Sequence, residues 1–258
     1  MTKTALITGA SSGLGVEFAR IHASVGDNLV LVARGKEKMD ALKTELEKQY
    51  AISVYVISKD LSEPSAAQDI FALLQAQKIH IDYLINNAGF GDFGLFAECN
   101  WEKQQQMINL NVMALTCLTR LFLPDMIQQK FGKILNIAST AAFQPGPTMS
   151  VYFATKAFVL SFTEAIANEL NGTGVTATAL CPGATATGFK DAAALNESRL
   201  FKGNQIAGSK EVAAFGYKNM MKGKTVVVYG FMNYIMAQSV RFAPRSIVTS
   251  IARMKLKV

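Results

Sequence analysis

The fold is decided by residues 133–172, whose sequence is KILNIASTAAFQPGPTMSVYFATKAFVLSFTEAIANELNG. Residues 133–138 are apolar and β-rich, which predicts a buried strand that ends just before Ser139. Tyr152 and Lys156 follow, four positions apart, in a long apolar segment that stops at an Asn-Gly pair, as helices commonly do. On a helix this spacing places both side chains on one face. A strand-end hydroxyl, a phenol and an ammonium that meet at one point predict a proton-transfer site.

The Tyr-x-x-x-Lys spacing alone is weak evidence, because the chain contains it twice. Tyr55 and Lys59 are also four positions apart, but they lie in a short run that is predicted to be a strand. Residues with this separation in a strand are roughly 13 Å apart, so these two side chains do not share a face in the same way. A solvated surface pair is the simpler interpretation of such spacing. The case for chemistry at Tyr152 depends on Ser139 and on the glycine-rich stretch near the start of the chain.

A glycine-rich turn follows the first predicted strand, residues 3–8. It runs from Gly9 to Gly15 with the sequence GASSGLG and leads into a segment with apolar residues at helical spacing. At such a junction, free backbone N–H groups and the helix dipole face the turn and bind anions, and glycines let a pyrophosphate approach the backbone. An ordinary glycine-rich loop is the alternative. The strand before it and the helix after it favour a dinucleotide site.

The end of the second predicted strand, residues 28–33, indicates which dinucleotide is bound. Rossmann proteins that prefer NAD usually carry a carboxylate there for the ribose 2′-hydroxyl, whereas a nearby arginine suits a 2′-phosphate. In this chain Ala33 is followed by Arg34 and Lys36. The alternative is a pair of solvated cations at a helix start. The pattern favours NADP(H).

Strand and helix patterns alternate along the whole chain. Strands are predicted at residues 3–8, 28–33, 52–57, 81–85, 133–138, 175–180 and 225–229, with helical segments between them. The expected fold class is α/β, a single Rossmann-type doubly wound parallel sheet of about seven strands with helices on both faces. One domain is expected over residues 1–258, with a substrate loop at about 184–210 and a basic amphipathic tail at about 230–258.

The composition argues against several classes of protein. Of the 258 residues, 50% are hydrophobic and 17% are charged, a balance that argues against disorder. Three widely spaced cysteines and two histidines argue against a disulfide framework and a metal site, and for a reducing compartment. No signal peptide is recognised, and no uninterrupted apolar segment reaches the roughly 18 residues of a membrane-spanning helix. The expected location is the cytoplasm, with peripheral contact at the inner membrane surface as an alternative, and no nucleic-acid partner is expected.

The positive charge of the chain is concentrated in its tail. The formal net charge is +7, and Glu211 is the last acidic residue. The cations that follow it are Lys218, Lys222, Lys224, Arg241, Arg245, Arg253, Lys255 and Lys257. Apolar residues at near-helical spacing accompany them after Pro244. The apolar face is expected either to pack over the substrate cleft or a neighbouring subunit, or to dock on anionic lipid, where each cation contributes ~1 kcal/mol.

Taken together, the motifs resemble the short-chain dehydrogenase/reductase superfamily in their order and spacing. The matching residues are Thr8 to Gly15, Asp60, Asn86-Asn87-Ala88-Gly89, Asn111, Ser139, Tyr152-x-x-x-Lys156 and Pro182-Gly183 through Thr187. The stretches NNAGFGDFG and VYFATKAFV are similar to a bacterial, DltE-like branch of the superfamily. The resemblance covers nearly the whole chain and is strongest in the first two-thirds.

The resemblance implies a role for each residue of the site. In the implied catalytic set, Tyr152 is the acid or base and Ser139 bonds the substrate oxygen. Lys156 and the oxidised nicotinamide, both positive, favour the tyrosinate. Lys156 also holds the nicotinamide ribose, while Asn111 holds a water of a proton relay. Asp60 can bond an adenine amino group, although its position after a strand also suits a turn cap. The implied cofactor-binding residues are Thr8, Gly9, Ser11, Ser12, Gly13, Leu14, Gly15, Arg34, Asp60, Leu61, Asn87, Ala88, Gly89, Tyr152, Lys156, Pro182, Gly183, Thr185 and Thr187.

The implied activity is that of an NADP(H)-dependent oxidoreductase, a carbonyl reductase or alcohol dehydrogenase acting on a small molecule. One alternative is a 3-oxoacyl thioester reductase of lipid metabolism. Another is a non-catalytic NADP-binding sensor or scaffold, which the intact set of four catalytic residues disfavours. The helix predicted from Tyr152 to Leu170 is apolar nearly all round, and in the family such a helix is often covered by a partner subunit. A homodimer or homotetramer is therefore expected.

Overall fold

A seven-stranded parallel sheet lies at the centre of the protein. The computed structural model describes residues 2–186 and 206–256. The strands are β1 (Thr4–Thr8), β2 (Asn28–Ala33), β3 (Val54–Ser58), β4 (Tyr83–Asn86), β5 (Gly132–Ile137), β6 (Val175–Cys181), β7 (Thr185–Ala186), β8 (Ala207–Gly208) and β9 (Val226–Val228). The sheet has the order β3-β2-β1-β4-β5-β6-β9, and every neighbouring pair is parallel. The predicted sheet is confirmed.

Helices cover both faces of the sheet. They are α1 (Gly13–Ser24), α2 (Lys36–Gln49), α3 (Ala66–Ala76), α4 (Trp101–Ile108), α5 (Leu115–Gln128), α6 (Ser150–Glu169), α7 (Ser209–Met221), α8 (Phe231–Ser239) and α9 (Arg245–Leu256). One core cluster joins α1, α2 and α7 to the sheet through residues such as Phe18 and Met220. A second joins α3, α5 and α6 through residues such as Phe122 and Ile166. Because both faces are covered, the central strands are apolar at nearly every position.

The chain reverses its direction of winding at β1. It passes to β2 and β3 on one side of β1, and to β4 and the later strands on the other. In open α/β sheets, ligands bind at the carboxyl ends of the strands where this reversal opens a crevice. The glycine-rich turn after β1, the Asn-Asn-Ala-Gly stretch after β4 and Ser139 after β5 all lie at that edge.

A buried chain of polar side chains crosses the sheet just below this edge. Asn86 on β4 and Asn136 on β5 are register partners, and Asn86 Nδ2 donates to Asn136 Oδ1 at 2.9 Å. Asn86 Nδ2 also donates to Thr119 Oγ1 on α5 at 3.1 Å, and Asn136 Nδ2 donates to Thr163 Oγ1 on α6 at 2.9 Å. The two hydroxyls in turn bond carbonyls of their own helices. α5 and α6, which pack in the same core cluster, are thereby connected by side chains of β4 and β5.

α4 and α5 form one continuous helical segment, Trp101–Gln128, interrupted by a π-helical turn at Asn109–Ala114. By length and composition this segment is apolar enough to cross a membrane, although none was expected from the sequence. Core helices pass the same test. Leu118, Phe122 and Met126 of α5 are buried against the sheet, so the segment is a core helix of the α/β fold.

The C-terminal part of the described chain folds back toward the carboxyl edge of the sheet. α8 and α9 are joined by the 3₁₀ turn Val240–Phe242. Lys255 Nζ lies 3.6 Å from the sulfur of Met236, so the end of α9 comes near α8 at that point. Leu256, at the end of α9, is 2% exposed and packs with Tyr152 and Phe153. The predicted substrate loop lies mostly outside the described residues, and its two flanks pair as β7 and β8.

Candidate active site

A cleft of about 790 Å³ opens at the carboxyl edge of the sheet. One end is lined by the glycine-rich turn, Arg34 and Asp60, and the other by Ser139, Tyr152 and Lys156. The cleft therefore joins the predicted cofactor residues to the predicted catalytic residues in a single space.

The glycine-rich end of the cleft is built to receive an anion. α1 begins at Gly13 with Ser12 as its N-cap; the Ser12 side chain makes no capping bond, and the first turn has no acidic residue. The backbone N–H groups at this helix start are directed toward the cleft, where a phosphate binds well. Gly15 holds the helix close to the strand, since a Cβ at Gly15 would lie 2.2 Å from the Gly9 carbonyl oxygen. These residues fit a dinucleotide pyrophosphate.

Thr8 and Asn87 join the ends of β1 and β4 beside that turn. The Thr8 hydroxyl accepts hydrogen bonds from the backbone N–H groups of Asn87 and Ala88, both at 2.9 Å. Asn87 Nδ2 donates to the carbonyl of Thr8 at 2.8 Å, and it lies 2.8 Å from where a Cβ on Gly9 would be. Thr8 is buried and shapes the wall of the cleft from behind, whereas Asn87 and Ala88 line it.

Arg34 and Asp60 face each other at the outer end of the cleft. The Arg34 side chain is 80% exposed, and its Nη1 is 3.7 Å from Asp60 Oδ2. The other Asp60 oxygen accepts hydrogen bonds from the backbone N–H and the hydroxyl of Ser62, at 2.9 and 2.7 Å. Partial burial raises the pKa of Asp60, but the bonds from Ser62 and the charge of Arg34 outweigh it, and the pKa lies below its ordinary value. Asp60 thus caps its turn with one oxygen, and it also lines the cleft.

Ser139, Tyr152 and Lys156 meet at the opposite end. Ser139 precedes the 3₁₀ turn Thr140–Phe143, and its Oγ accepts a hydrogen bond from the backbone N–H of Ala141 at 3.1 Å. Its side chain also forms a hydrogen bond with Tyr152. Lys156 Nζ donates to the carbonyl of Ile137 at 2.7 Å and lies 5.8 Å from the centre of the Tyr152 ring. The strand-end hydroxyl, the phenol and the ammonium converge as the spacing predicted.

Burial dominates the proton affinities of these groups. It raises the pKa of Tyr152 to about 12, against the hydrogen bond with Ser139, which acts in the opposite direction. It lowers the pKa of Lys156 to about 8, against the nearby Cys181, which raises it. Burial and Ser139, and not Lys156, set the direction of the Tyr152 pKa shift in the protein alone. A lowering of this pKa by Lys156 together with the oxidised nicotinamide stays a prediction.

Asn111 is buried behind the cleft, in the π-helical turn. Its Nδ2 donates to the carbonyl of Phe90 at 2.9 Å and to Thr155 Oγ1 at 3.1 Å, and its Oδ1 accepts from the backbone N–H of Phe90 at 3.1 Å. Both amide hydrogens are therefore used to tie the loop after β4 to α6. A water held at Asn111 would have to donate to Oδ1 or to the backbone carbonyl, because the side chain has no further donor.

The catalytic end of the cleft has apolar walls that the sequence analysis did not identify. Phe90, Met149 and Phe153 line it, and Leu256 packs behind them in the same cluster. The Phe153 ring lies flat against the backbone of Gly146, where a Cβ would be 2.2 Å from the ring. Phe153 follows Tyr152 directly, and that adjacency was a usable signal. Nothing local in the sequence places Leu256 there.

Most of the predicted cofactor residues line the cleft. They are Gly9, Ser11, Ser12, Gly13, Leu14, Arg34, Asp60, Leu61, Asn87, Ala88, Gly89, Tyr152, Lys156, Pro182, Gly183 and Thr185. Thr8 and Gly15 support the turn from behind. Thr187 lies outside the described residues.

The comparison with protein families agrees with this geometry. A family model described as short chain dehydrogenase matches residues 3–198. The chain belongs to the short-chain dehydrogenase family. An uncharacterized oxidoreductase of Staphylococcus epidermidis is 31% identical over 205 residues, which cover 80% of this chain and 87% of that protein. The 7beta-hydroxysteroid dehydrogenase of Collinsella aerofaciens is 33% identical over 182 residues, 70% of this chain and 68% of that protein. The ketoacyl reductase HetN of Nostoc sp. is 41% identical over 187 residues, 70% of this chain and 63% of that protein.

Solved structures of short-chain dehydrogenases share the fold. One from Sphingobium yanoikuyae, in complex with NADPH, has a TM-score of 0.83 and 32% identity over 93% of this chain and 94% of that chain. One from Burkholderia phymatum, in complex with NAD, has a TM-score of 0.82 and 27% identity over 100% of this chain and 97% of that chain. This short-chain dehydrogenase is therefore an oxidoreductase of a family that uses nicotinamide cofactors and acts on alcohols and ketones. The DltE-like branch stays a prediction.

Proposed function

We propose that this protein is an NADP(H)-dependent reductase of ketones whose carbonyl carries apolar groups. One observation carries the proposal: the Ser139–Tyr152–Lys156 group lies between the cofactor end of the cleft and the apolar wall of Phe90, Met149 and Phe153. A carbonyl next to Tyr152 would have apolar surroundings on its far side, where burial of an apolar substituent is favourable. Gln106 and Gln144 also line the cleft, so the proposal concerns the substituent that faces Phe90, Met149 and Phe153 and not the whole substrate.

The cofactor, when bound, supplies or accepts the hydride, and the chain's own residues handle the proton. The Tyr152 hydroxyl donates its proton to the substrate oxygen during reduction and accepts it back during oxidation. The Ser139 hydroxyl hydrogen-bonds the same oxygen, where negative charge develops. Because burial holds the pKa of Tyr152 at about 12, the phenol of the protein alone suits the acid role.

NADP(H) is proposed over NAD(H) because of Arg34. The neighbouring cations at the cleft form short ion pairs: Lys36 Nζ is 2.7 Å from an Asp40 carboxylate oxygen, and Lys59 Nζ is 3.0 Å from an Asp69 carboxylate oxygen. The Arg34 guanidinium is exposed, and the carboxylate of Asp60 is 3.7 Å from it. Arg34 can therefore turn to a 2′-phosphate and give up only a weak ion pair. The comparison structures include one with NADPH and one with NAD.

The test is a turnover screen of the purified protein with NADPH and, separately, with NADH. The substrates are bulky apolar ketones, acyl thioesters of 3-oxoacids, and sugars. Apolar ketones with NADPH should give the highest kcat/KM. Turnover of sugars in preference to apolar ketones would contradict the proposal. Tight NADPH binding with no turnover of any carbonyl would favour the non-catalytic sensor instead.

A 3-oxoacyl thioester reductase is the second candidate. The apolar wall also suits an acyl chain, and Nostoc HetN, a ketoacyl reductase, is a relative. Activity on acyl thioesters with none on simple ketones would favour this candidate.

We also propose a homodimer or homotetramer in the cytoplasm, assembled through the outer face of α6. The chain itself buries more of this helix than the sequence suggested, since Phe153, Leu160 and Ile166 are covered by the protein's own core. Ala154, Phe158 and Ala165 remain exposed, and the Phe158 ring stacks on Phe162 at 5.9 Å. An apolar helix face of this kind suits a two-fold contact with its own copy. Analytical ultracentrifugation at micromolar concentration should show at least a dimer, and Phe158→Glu should shift it toward monomer.

A further inference from the structure

The segment of α8, the turn Val240–Phe242 and α9 exposes large apolar side chains that neither the cleft nor the α6 face explains. We define this tail surface by the residues Phe231, Met232, Tyr234, Ile235, Phe242, Ile247, Ile251 and Met254, which are between 42% and 89% exposed. Phe242 is the most exposed of them and lies in the turn that joins the two helices. Single exposed apolar residues are normal on a folded protein, whereas many of them close together in the chain indicate an interaction site.

α9 has two apolar faces on opposite sides. At 3.6 residues per turn, Ile247, Ile251 and Met254 lie within about 60° of one another, while Ala252 and Leu256 point roughly the other way. Ala252 and Leu256 are buried in the protein, and Leu256 contacts the cluster around Tyr152. The inner face is thus already occupied, and rotation of the helix cannot bury the outer face without exposing Leu256.

Cations flank the outer face of α9. On the same helical projection, Lys255 lies on one side of the Ile247–Ile251–Met254 stripe and Arg253 on the other. Arg241 lies in the turn that carries Phe242, and Arg245 is the first residue of α9. No acidic residue occurs after Glu211 in the sequence. An apolar stripe with basic side chains on both flanks matches the arrangement of helices that lie in the interface of an anionic bilayer.

We propose that the tail surface docks this protein on membranes rich in anionic lipid. The apolar side chains enter the boundary between headgroups and acyl chains, and the cations Arg241, Arg245, Arg253 and Lys255 meet the anionic headgroups. A second copy of the chain is a poorer occupant, because a two-fold contact places the same patch against itself and brings like charges together. An anionic bilayer presents negatively charged headgroups directly beside apolar acyl chains, so it can bind the cations and the apolar side chains together.

The experiment is co-sedimentation with vesicles, at low and high salt, using vesicles of phosphatidylcholine alone and vesicles that also contain phosphatidylglycerol. The wild type should pellet with the anionic vesicles and not with the neutral ones, and high salt should weaken binding. Arg253→Gln should weaken partitioning roughly fivefold, the effect of one surface cation. Phe242→Ser with Ile251→Ser should abolish binding. Lys48→Gln, an exposed cation on α2, is the matched control and should leave binding unchanged.

These substitutions are preferred to truncation, because removing α9 would also remove Leu256 from the cluster around Tyr152. Unchanged thermal unfolding of each variant shows that the fold is intact. Equal, negligible pelleting of the wild type on both kinds of vesicle overturns the proposal. It is also overturned if Phe242→Ser with Ile251→Ser dissociates an oligomer while lipid binding is absent, since the occupant would then be a second copy.

Discussion

Replacing Lys156 by Met tests how strongly the site opposes a buried ammonium. Burial lowers the pKa of Lys156 from 10.5 to about 8. At 1.4 kcal/mol per pH unit, that difference corresponds to ~3 kcal/mol between fully protonated and fully deprotonated lysine. Methionine has a similar length and no charge, so it keeps the volume and removes the ionisable group.

The sign follows from the order of the two pKa values. Below pH 8 the lysine is protonated in both the folded and the unfolded protein, and the folded state carries the full cost of burying the charge. Between pH 8 and 10.5 the folded protein has lost the proton while the unfolded chain keeps it, so stability rises with pH. From pH 7 to 9.5 the wild type should gain ~2 kcal/mol relative to Lys156→Met. The pKa of Tyr152, about 12, affects stability only above about pH 10, where the unfolded tyrosine ionises.

The assay is urea unfolding of the wild type and the variant without cofactor, at pH 7 and pH 9.5 with the cysteines kept reduced. Loss of the Nζ bond to Ile137 shifts the variant at both pH values and largely cancels in the comparison. Lys48→Met, at an exposed position, is the control and should show no such pH-dependent difference. If the free energies of unfolding of the wild type and of Lys156→Met change equally between pH 7 and pH 9.5, burial does not disfavour the protonated lysine. The account of the site's electrostatics would then be wrong.

Three further predictions concern the cleft. Tyr152→Phe should lower turnover by at least ~10²-fold with NADPH affinity nearly unchanged, measured by steady-state kinetics and cofactor titration; a variant that keeps more than about a tenth of the rate would remove Tyr152 from its proposed role. Arg34→Asp should weaken NADPH binding and shift preference toward NADH, and equal affinity of the wild type for both cofactors would refute the role of Arg34. Gly15→Ala should destabilise the protein by about 1–3 kcal/mol, because the added methyl meets the Gly9 carbonyl at 2.2 Å. Gly35→Ala is its control, since its Cβ meets Ser11 only at 3.7 Å, and equal unfolding midpoints for the two would contradict the packing argument.

The sheet and the cofactor end could be predicted from the sequence because their signals are local. Strands covered on both faces are continuous apolar runs, and the ends of all seven were predicted to within two residues. The Tyr152–Lys156 spacing shows a shared face only on a helix, and α6 supplies it. In the contrasting pair, Tyr55 lies in the predicted strand, β3, and Lys59 follows directly after the end of that strand.

What the sequence could not show depends on contacts between distant segments. Leu256 lies about a hundred positions from Tyr152, and no periodicity connects them. Similarly, a Cβ on Gly183 would meet Asn233 of α8 at 2.6 Å, a contact visible only once the tail is folded back. The bonds of Asn111 also depend on the π-helical turn, which propensity does not predict. The sign of the Tyr152 pKa shift required its burial, which the motif does not specify.

The amide pair of Asn86 and Asn136 has a consequence for redesign of the cleft. Sliding β4 along β5 by one residue would separate the two amides, so Asn136 Oδ1 would lose its donor, while the Thr119 and Thr163 hydroxyls would keep their bonds to carbonyls of their own helices. Each buried polar group left without a partner costs about 1–3 kcal/mol. The amide pair therefore fixes the register of β4 and β5, at a point one residue before Asn87 and three residues before Ser139. Loop residues beyond these strands, other than the site residues Asn87 to Gly89 and Ser139, can be exchanged to accept new substrates, whereas Asn136→Leu would remove one of the two bonds of Asn86 Nδ2 and the amide donor to the Thr163 hydroxyl.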